Sequence, residues 1–435
     1  MQVRTAAAVA GVTGFASMCL ELTAVRLLAP HFGDSAYVWT NVIGVILAAL
    51  ALGAWLGGRL ADRGHGRTTL ATLFVVAAVL CALAPVCGPT LGAWLLPQDL
   101  RLDAAMPAMV RGSLAAAGLL FGLPVFLLGA IAPVLVTLVA ESGSRVGRAV
   151  GLVSAAGTIG SLLGTFLATH LLVPTFGCRA TMWVCALVLA VGAALVRPSA
   201  RPAASVLLVG LGLLLQHGPL RAAGPGLELL AEAETSQQYL QVVRDPANSG
   251  GAMTALKINE GLDSFHSVSV ANSVFTGGRY YDYHALAPLL AGDGRRPEHL
   301  RALSIGDAAG TFRRIYDAVH PDATVDAVEI DPGAIALGER WFLGRKAPGR
   351  VFAVDGRVFI DRSRERWHVI HVDAYAHQIY VPAHLASREF FAAARERLLP
   401  GGVLTCNVGG LHFGDPVLQS LGGTLAAVFG EAWAF

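Results

Sequence analysis

The sequence predicts an α-helical membrane bundle followed by a doubly wound α/β domain with a small β layer between them. Two observations carry this. Of 435 residues, 54% are hydrophobic and only 14% charged, against about a quarter charged in an ordinary soluble domain. The deficit is confined to the first half, where long uncharged runs fill residues 1–217, while acids, arginines and histidines crowd the rest. From Leu303 onward, apolar runs of strand length alternate with amphipathic helical stretches, the pattern of a parallel sheet with crossover helices.

The sequence therefore divides into a multi-spanning region at 1–217, a linker at 218–233, a β-rich part at 234–300 and an α/β part at 301–435. A crossing helix needs ~20 apolar residues. Six stretches qualify, near 5–29, 38–57, 69–95, 111–139, 150–173 and 180–196. The first of them contains Glu21 and Arg26 and is too long for a cleavable signal core, so it reads as a retained helix. Arginines at 59, 63 and 67, at 145 and 148, and at 197 and 201 fall on one side if Arg4 and the amino end are cytoplasmic. Arg101 and Arg111 opposite are offset by Asp99 and Asp103. A seventh run, Ala203 to Gln216, is short for a crossing; read as re-entrant or interfacial, it leaves the C-terminal part in the cytoplasm.

Within the helices, Gly53-x-x-x-Gly57 and Gly160-x-x-x-Gly164 predict close helix packing. Pro124 and Pro133 predict a kink or a break. Glu21 and Arg26 are costly in hydrocarbon, so they either snorkel and bond a neighbouring helix or line a polar path. None of the six cysteines forms a Cys-x-x-Cys pair, which favours packing residues over metal ligands or disulfides. A net charge of +2, without a basic tract interleaved with aromatics, gives no case for nucleic acid.

In the second half, "QQYLQVV", "ALKINEG" and "LDSFHSVSV" read as short strands and "YYDYHALAPLL" as a helix. The alternating run begins with "RALSIG" and ends with "VLTCNV". Ligands of such sheets sit at the carboxyl ends of the strands. Three strand ends carry acids: Glu329 with Asp331, Asp355, and Asp373. The turn Gly306-Asp-Ala-Ala-Gly310 opens a helix but lacks the spacing of a dinucleotide fingerprint, and no nest for a pyrophosphate is evident. A carboxylate can accept two hydroxyl hydrogen bonds, which suits a ribose diol at Glu329, and Asp355-Gly356 suits the exocyclic amine of adenine. A nucleoside without phosphates is implied, of which S-adenosylmethionine or a derivative is the obvious one. The competing reading of each acid alone is a helix cap, as for Asp331 before Pro332.

These residues resemble the spermidine synthase-like, or polyamine aminopropyltransferase, family, in its membrane-bound branch. "CLELTAVRLLAPHFGDSAYVW" and "ALALGAWLGGRLADR" are similar to that branch. "ETSQQYLQVV", "GGRYYDYHALAPLL", "IGDAAGT", "AVEIDP", "VDGRVFI", "VDAY" and "YVPAHLASREFFAAARERLLPGGVLTCNV" follow in the family's order. The resemblance implies a Rossmann-like, class I methyltransferase-like fold. It places Gln238, with Gly306, Asp307 and Gly310 of the turn, beside the sulfonium substrate. It makes Glu329 the ribose ligand and Asp355 and Gly356 the adenine contacts. Asp373, with Tyr375 beside it, resembles the general base that takes a proton from the attacking amine. Tyr280 and Asp282 match a Tyr-x-Glu pattern of the substrate groove, with Asp in place of Glu. His377, Gln378 and Tyr380 fall in the acceptor loop.

Two departures bear on the substrate. The family's Asp-Ser-Ser-Asp loop reads Asp373-Ala-Tyr-Ala376 here, so the far ammonium of a diamine loses a partner. The acid that the family carries deeper in its Gly-rich turn stands at Asp307, directly after Gly306. The donor that the resemblance implies is S-adenosylmethionine or its decarboxylated form. The expected reaction is aminopropyl transfer to a polyamine or, with intact S-adenosylmethionine and no diamine, lactone formation from the donor itself or methyl transfer to an acceptor. A non-catalytic polyamine or nucleoside sensor is a further alternative. The expected setting is the inner membrane of a bacterial-type cell, with the lipid bilayer as partner, no metal, and room for a homodimer. "EAWAF" reads as a strand where family members continue with more sheet, which leaves a truncated C-terminus open.

Overall fold

The computed structural model describes residues 1–64, 66–96, 102–143, 145–215, 218–259, 266–291, 297–344, 349–375, 381–410 and 412–434, with only the backbone of 102–105. The chain forms two compact units, one of residues 1–222 with 234–239, the other of residues 223–233 with 240–435.

The first unit is helical: α1 (Val3–Phe32), α2 (Ala36–Asp62), α3 (Arg67–Leu95), α4 (Leu102–Ala117), α5 (Leu123–Ala140), α6 (Val146–Leu167), α7 (Val173–Val196) and α8 (Ala200–Leu215). Among the described residues, five helical runs are long and apolar enough to cross a membrane. The last, Val146–Val196, is 51 residues long. At 1.5 Å per residue it would extend about 75 Å, more than twice a ~30 Å hydrocarbon core. It is broken at Gly177 (φ 79, ψ 169), so the two spans expected at 150–173 and 180–196 are two limbs of one bent run.

Two π turns, Gly118–Gly122 and Ala168–Leu172, join α4 to α5 and α6 to α7. Each is followed by one residue and a proline, Pro124 or Pro174. A proline has no N–H to give four residues back, and its ring crowds that carbonyl, so the helix takes up one extra residue in a wider turn. The irregularity expected at Pro124 is therefore a π turn just ahead of it, whereas Pro133 lies inside α5.

The glycine pairs mark helix crossings. A Cβ on Gly53 or Gly57 of α2 would land on the carbonyls of Phe126 or Ala130 of α5. On Gly160 or Gly164 of α6 it would land on the backbone of Gly11 or Phe15 of α1. Backbones this close gain dispersion contacts that lipid does not supply.

At the break, the backbone N–H of Cys178 is freed and donates to the Glu234 carboxylate at 2.8 Å, an acid at the start of a helical limb. Arg26 extends from α1 to the same segment, donating to the carbonyls of Thr235 (2.7 Å), Ser236 (2.8 Å) and Gln237 (2.9 Å). Its charge is thus spent on backbone acceptors, and Glu21 on the same helix is half-buried.

The second unit begins with an antiparallel sheet of β1 (Glu228–Glu234), β2 (Tyr239–Asp245), β3 (Met253–Ile258) and β4 (Ser267–Val270). Its first strand starts inside the stretch expected to be linker. Two short helices follow, α9 (Tyr280–His284) and α10 (Ala287–Leu290). Then strand and helix alternate: β5 (Arg301–Ile305), α11 (Thr311–Val319), β6 (Thr324–Glu329), α12 (Pro332–Gly338), β7 (Val351–Ala353), α13 (Gly356–Arg362), β8 (Trp367–Val372), α14 (Arg388–Glu396), β9 (Leu398–Cys406) and α15 (Pro416–Phe429).

The five strands β5 to β9 form one parallel sheet in the order β7-β6-β5-β8-β9. This is the doubly wound sheet of a Rossmann-like fold, reversing direction between β5 and β8. One face packs Leu303, Ile305, Val328, Ile370 and Val372 against Phe390, Phe391 and Leu421. The other packs Ala302, Val325 and Val369 against Phe312 and Tyr316. Residues 431–434 are irregular, rather than the strand expected there, since α15 ends at Gly430 in a left-handed turn (φ 91).

Gly160→Val is expected to lower stability in detergent by about 1–3 kcal/mol, the usual cost of overpacking. Gly151→Val, where a Cβ meets nothing within 4 Å, should be near neutral. Thermal unfolding of the two variants checks this.

Candidate active site

The carboxyl ends of β5, β6 and β8 meet at the switch point of the sheet. Gly306 closes β5 with φ 80, and a Cβ there would fall on the backbone of Asp373 and Ala374. Both the backbone conformation and the space demand glycine. The Asp373 N–H donates to the Ile305 carbonyl at 2.9 Å, which continues the β5–β8 ladder to the site itself.

Asp373 is held from two sides. Its Oδ2 accepts from the Tyr280 hydroxyl at 2.8 Å and its Oδ1 from the Asn407 side-chain amide at 2.9 Å. Its side chain is 11% exposed. Burial pushes the carboxyl up to about 6, against the pull of Asn407 and Tyr280, and nearby Asp307 pushes the same way as burial. A carboxylate in this range can take up a proton near neutral pH. Tyr280 lies against Tyr281, ring centroids 3.9 Å apart and planes tilted by 31°. Its phenol is held well above the usual range by burial and by Asp373, so it stays a donor.

Tyr375 does not touch the carboxylate by any described hydrogen bond. Its hydroxyl donates to the Asn407 carbonyl (3.1 Å) and accepts from Gly409 N–H (2.7 Å). It ties the loop after β8 to the loop after β9, and so holds Asn407 in place.

Glu329, at the end of β6, accepts from Ala308 N–H at 2.9 Å and Asp331 N–H at 3.0 Å. Burial raises its carboxyl to about 7 despite those two donors, helped by the charges of Asp307 and Asp331. Asp331 caps α12 through Gly333 N–H, 2.8 Å. Asp355 caps α13, accepting from Arg357 and Val358 N–H at 2.9 and 3.1 Å, and its other oxygen meets His384 Nε2 at 2.9 Å. Burial alone would raise the Asp355 carboxyl, but the Val358 N–H, His384 and the Arg357 N–H outweigh it and leave it below the usual range. Gly356 is buried beneath the Ile305 side chain.

Other expected residues take different positions. Asp307 is buried on Arg313 of α11, Oδ2 to Nε 2.6 Å, with side-chain exposures of 1% and 4%. It forms a neutral pair rather than presenting a free anion. Gly310 supplies the left-handed residue (φ 85) that starts α11. Asp282 spends both oxygens on its own loop, accepting from Thr276 N–H and hydroxyl and from Gly278 N–H, each at 2.8 Å. Gln238 belongs to the 234–239 segment of the helical unit, where its backbone N–H donates to Thr235 Oγ1 at 3.0 Å. His377, Gln378 and Tyr380 lie outside the described residues.

Asn407, Arg313, His371 and His384 were not expected from the sequence. Asn407 had a signal, since it ends its strand pattern as the acids end theirs. His371 interrupts the apolar run of β8, and a strand buried on both faces normally reads as continuous apolar residues.

A comparison with known proteins finds no matching family model. Over 204 residues, 47% of this chain, it is 34% identical to the "Probable polyamine aminopropyl transferase" of Bifidobacterium longum (strain NCC 2705), covering 43% of that protein. It is 31% identical over 160 residues to the "Polyamine aminopropyltransferase" of Vibrio vulnificus (strain CMCP6), covering 36% of this chain and 52% of that one. The C-terminal part of this chain is homologous to the polyamine aminopropyltransferases. The chain spans about half the length of these curated relatives of the aminopropyltransferase family. Among solved structures, it is similar to a probable spermidine synthase from Corynebacterium glutamicum ATCC 13032, with TM-score 0.40 and 23% identity over 46% of this chain and 69% of that one.

If Glu329 is the ribose acceptor expected from the sequence, it must be ionised to accept both hydroxyls. With its carboxyl at about 7 in the free protein, methylthioadenosine should bind more tightly as pH rises from about 6 to 8. Glu329→Gln should weaken binding and flatten that dependence, as measured by calorimetry.

Proposed function

We propose that the chain is a membrane-bound aminopropyltransferase-like enzyme that uses a sulfonium nucleoside and releases methylthioadenosine. The observation that carries this reading is Asp373: a buried carboxylate at the switch point of a parallel sheet, gripped by Tyr280 and Asn407, its affinity for a proton raised toward neutral pH. A primary amine is protonated at pH 7 and cannot attack carbon until a base relieves it of a proton.

In the proposed reaction the amine nitrogen attacks the aminopropyl carbon attached to sulfur. The N–C bond forms as the C–S bond breaks, and the bonding pair goes to sulfur, which leaves as a neutral thioether. Asp373 takes one proton from the ammonium before the attack, and the secondary nitrogen that results carries the positive charge that sulfur gives up. Glu329 accepts the ribose hydroxyls, Asp355 and Gly356 border the adenine, and Tyr280 keeps the base oriented. Holding amine and sulfonium in line supplies much of the acceleration.

The second reading, in which intact S-adenosylmethionine is the donor, is favoured by one observation. Asp307 is paired with Arg313 at 2.6 Å, which offsets part of the negative charge that the turn after β5 would otherwise set against a substrate carboxylate. That carboxylate could itself displace methylthioadenosine and give a lactone.

For the membrane region, we propose a multi-pass arrangement in an inner membrane with the α/β unit in the cytoplasm, where the sulfonium donor is made. The arginine distribution supports it. So does α8, whose 16 residues extend about 24 Å, short of a ~30 Å core.

Purified protein incubated with decarboxylated S-adenosylmethionine and putrescine is expected to release methylthioadenosine and spermidine, detected by mass spectrometry. Release only from intact S-adenosylmethionine would replace this reading with the second. Asp373→Asn should reduce turnover by about 10²–10⁴-fold, the range of a positioned acid–base group, while leaving methylthioadenosine binding within about twofold.

A further inference from the structure

On β8, His371 stands two residues before Asp373 and so on the same face of the strand. It is 1% exposed. It pairs with Ser304 of β5 on one side and Thr405 of β9 on the other, a polar row across the centre of the sheet. Its ring is stacked on Phe312 of α11, 4.4 Å between centroids and 6° from parallel, and lies 4.1 Å from the ring of His284 of α9. Nδ1 is 3.0 Å from Thr405 Oγ1. Nε2 has no hydrogen-bond partner among the described residues and is 4.0 Å from Asp373 Oδ2.

A buried imidazole nitrogen without a partner is costly, and among the described residues this one lies 4.0 Å from the carboxylate of the proposed base. Burial and the neighbouring His284 hold His371 well below its usual range, so the ring is neutral and carries one N–H. Its position follows from the partners. The Thr405 hydroxyl can donate or accept, whereas an ionised carboxylate only accepts. With the proton on Nδ1, the Nε2 lone pair would face the carboxylate across a desolvated gap. With it on Nε2, Thr405 donates to Nδ1 and an N–H dipole points at Asp373.

We infer that His371 is a positioning residue that turns an Nε2–H toward Asp373, holding its carboxylate anionic and oriented for the incoming amine. The inference rests on Asp373 being the base. Among the described residues, the other groups around Asp373 are Tyr280 and Tyr281 from α9, Asn407, Cys406 and Tyr375 from the strand ends, and Asp307 from the turn after β5. The three tyrosines and the cysteine stay protonated through the neutral range, because burial raises all four. Asp307 is matched by Arg313.

The test is the pH profile of kcat/KM for methylthioadenosine release by the full chain, with decarboxylated S-adenosylmethionine and putrescine or with intact S-adenosylmethionine, whichever is turned over. An N–H directed at a carboxylate favours its ionised form. His371→Leu should therefore move the acidic limb to higher pH by about one to two units, with activity returning as pH is raised. His371→Gln, whose amide can donate, should move the limb less. A limb that stays in place or moves to lower pH in His371→Leu overturns the inference, since a residue serving only to pack would lower activity at every pH alike. Asp373→Asn separates the underlying reading: if that variant remains active, the base assignment fails whatever His371 does. Histidine-selective 15N NMR of the unaltered protein tests the geometry without any variant or substrate. A neutral ring protonated on Nε2 is expected, and protonation on Nδ1 overturns the inference.

Discussion

The close approach of the parallel strands β5 and β8 at Gly306 is the constraint on which the site depends. The two strands must run together to their last residues for Asp373 N–H to reach the Ile305 carbonyl, and no side chain fits at 306 when they do. Close approach there fixes where the Asp373 carboxylate starts. It also brings the turn at 306–310 over the end of β6, where Glu329 receives the Ala308 N–H. Ala308 itself has φ 46, a conformation unfavourable for a residue with a Cβ, and Glu329 is the partner that fixes its N–H. The turn, the acid of β6 and the acid of β8 form one arrangement rather than three.

Acids gathered in so small a space repel one another and resist burial, and each is accommodated differently. Asp331 and Asp355 sit at helix starts, where free N–H groups and the helix dipole favour negative charge. Asp307 is neutralised by Arg313 in a dry pair, an arrangement that costs desolvation and gives little net stability. Glu329 and Asp373 are left with donors too few to offset burial, and these two are pushed toward neutral pH. A site that must exchange a proton or a ligand is where such incomplete compensation is expected.

The helical unit follows a different logic, because apolar side chains gain nothing by leaving lipid for one another. Its close contacts come from glycine stripes that let backbones touch. Its π turns come ahead of prolines that widen the helix, and the break at Gly177 is satisfied by Glu234. Arg26 is satisfied on the same segment, by the three consecutive carbonyls of Thr235, Ser236 and Gln237.

What the amino-acid sequence by itself determined was whatever depends on period and composition. Apolar runs marked the helices, alternation marked the parallel sheet, and the acids at the ends of β6, β7 and β8 were legible because a strand end is a local feature. Gly53, Gly57, Gly160 and Gly164 were legible for the same reason, their spacing being that of a helix face. Only the tertiary structure decided which acids are free. Arg313 neutralises Asp307 through the first turns of α11, Asn407 reaches Asp373 across thirty-four positions of chain, and His384 closes on Asp355 from another loop. Asp282, which pattern assigned to a groove, is absorbed by its own turn. Partners of this kind are set by which strands lie side by side, and strand order leaves no periodic mark in the chain. His371 belongs with them: its place in β8 was legible, but its meaning depends on Phe312, His284 and Thr405, brought around it only when the sheet is assembled.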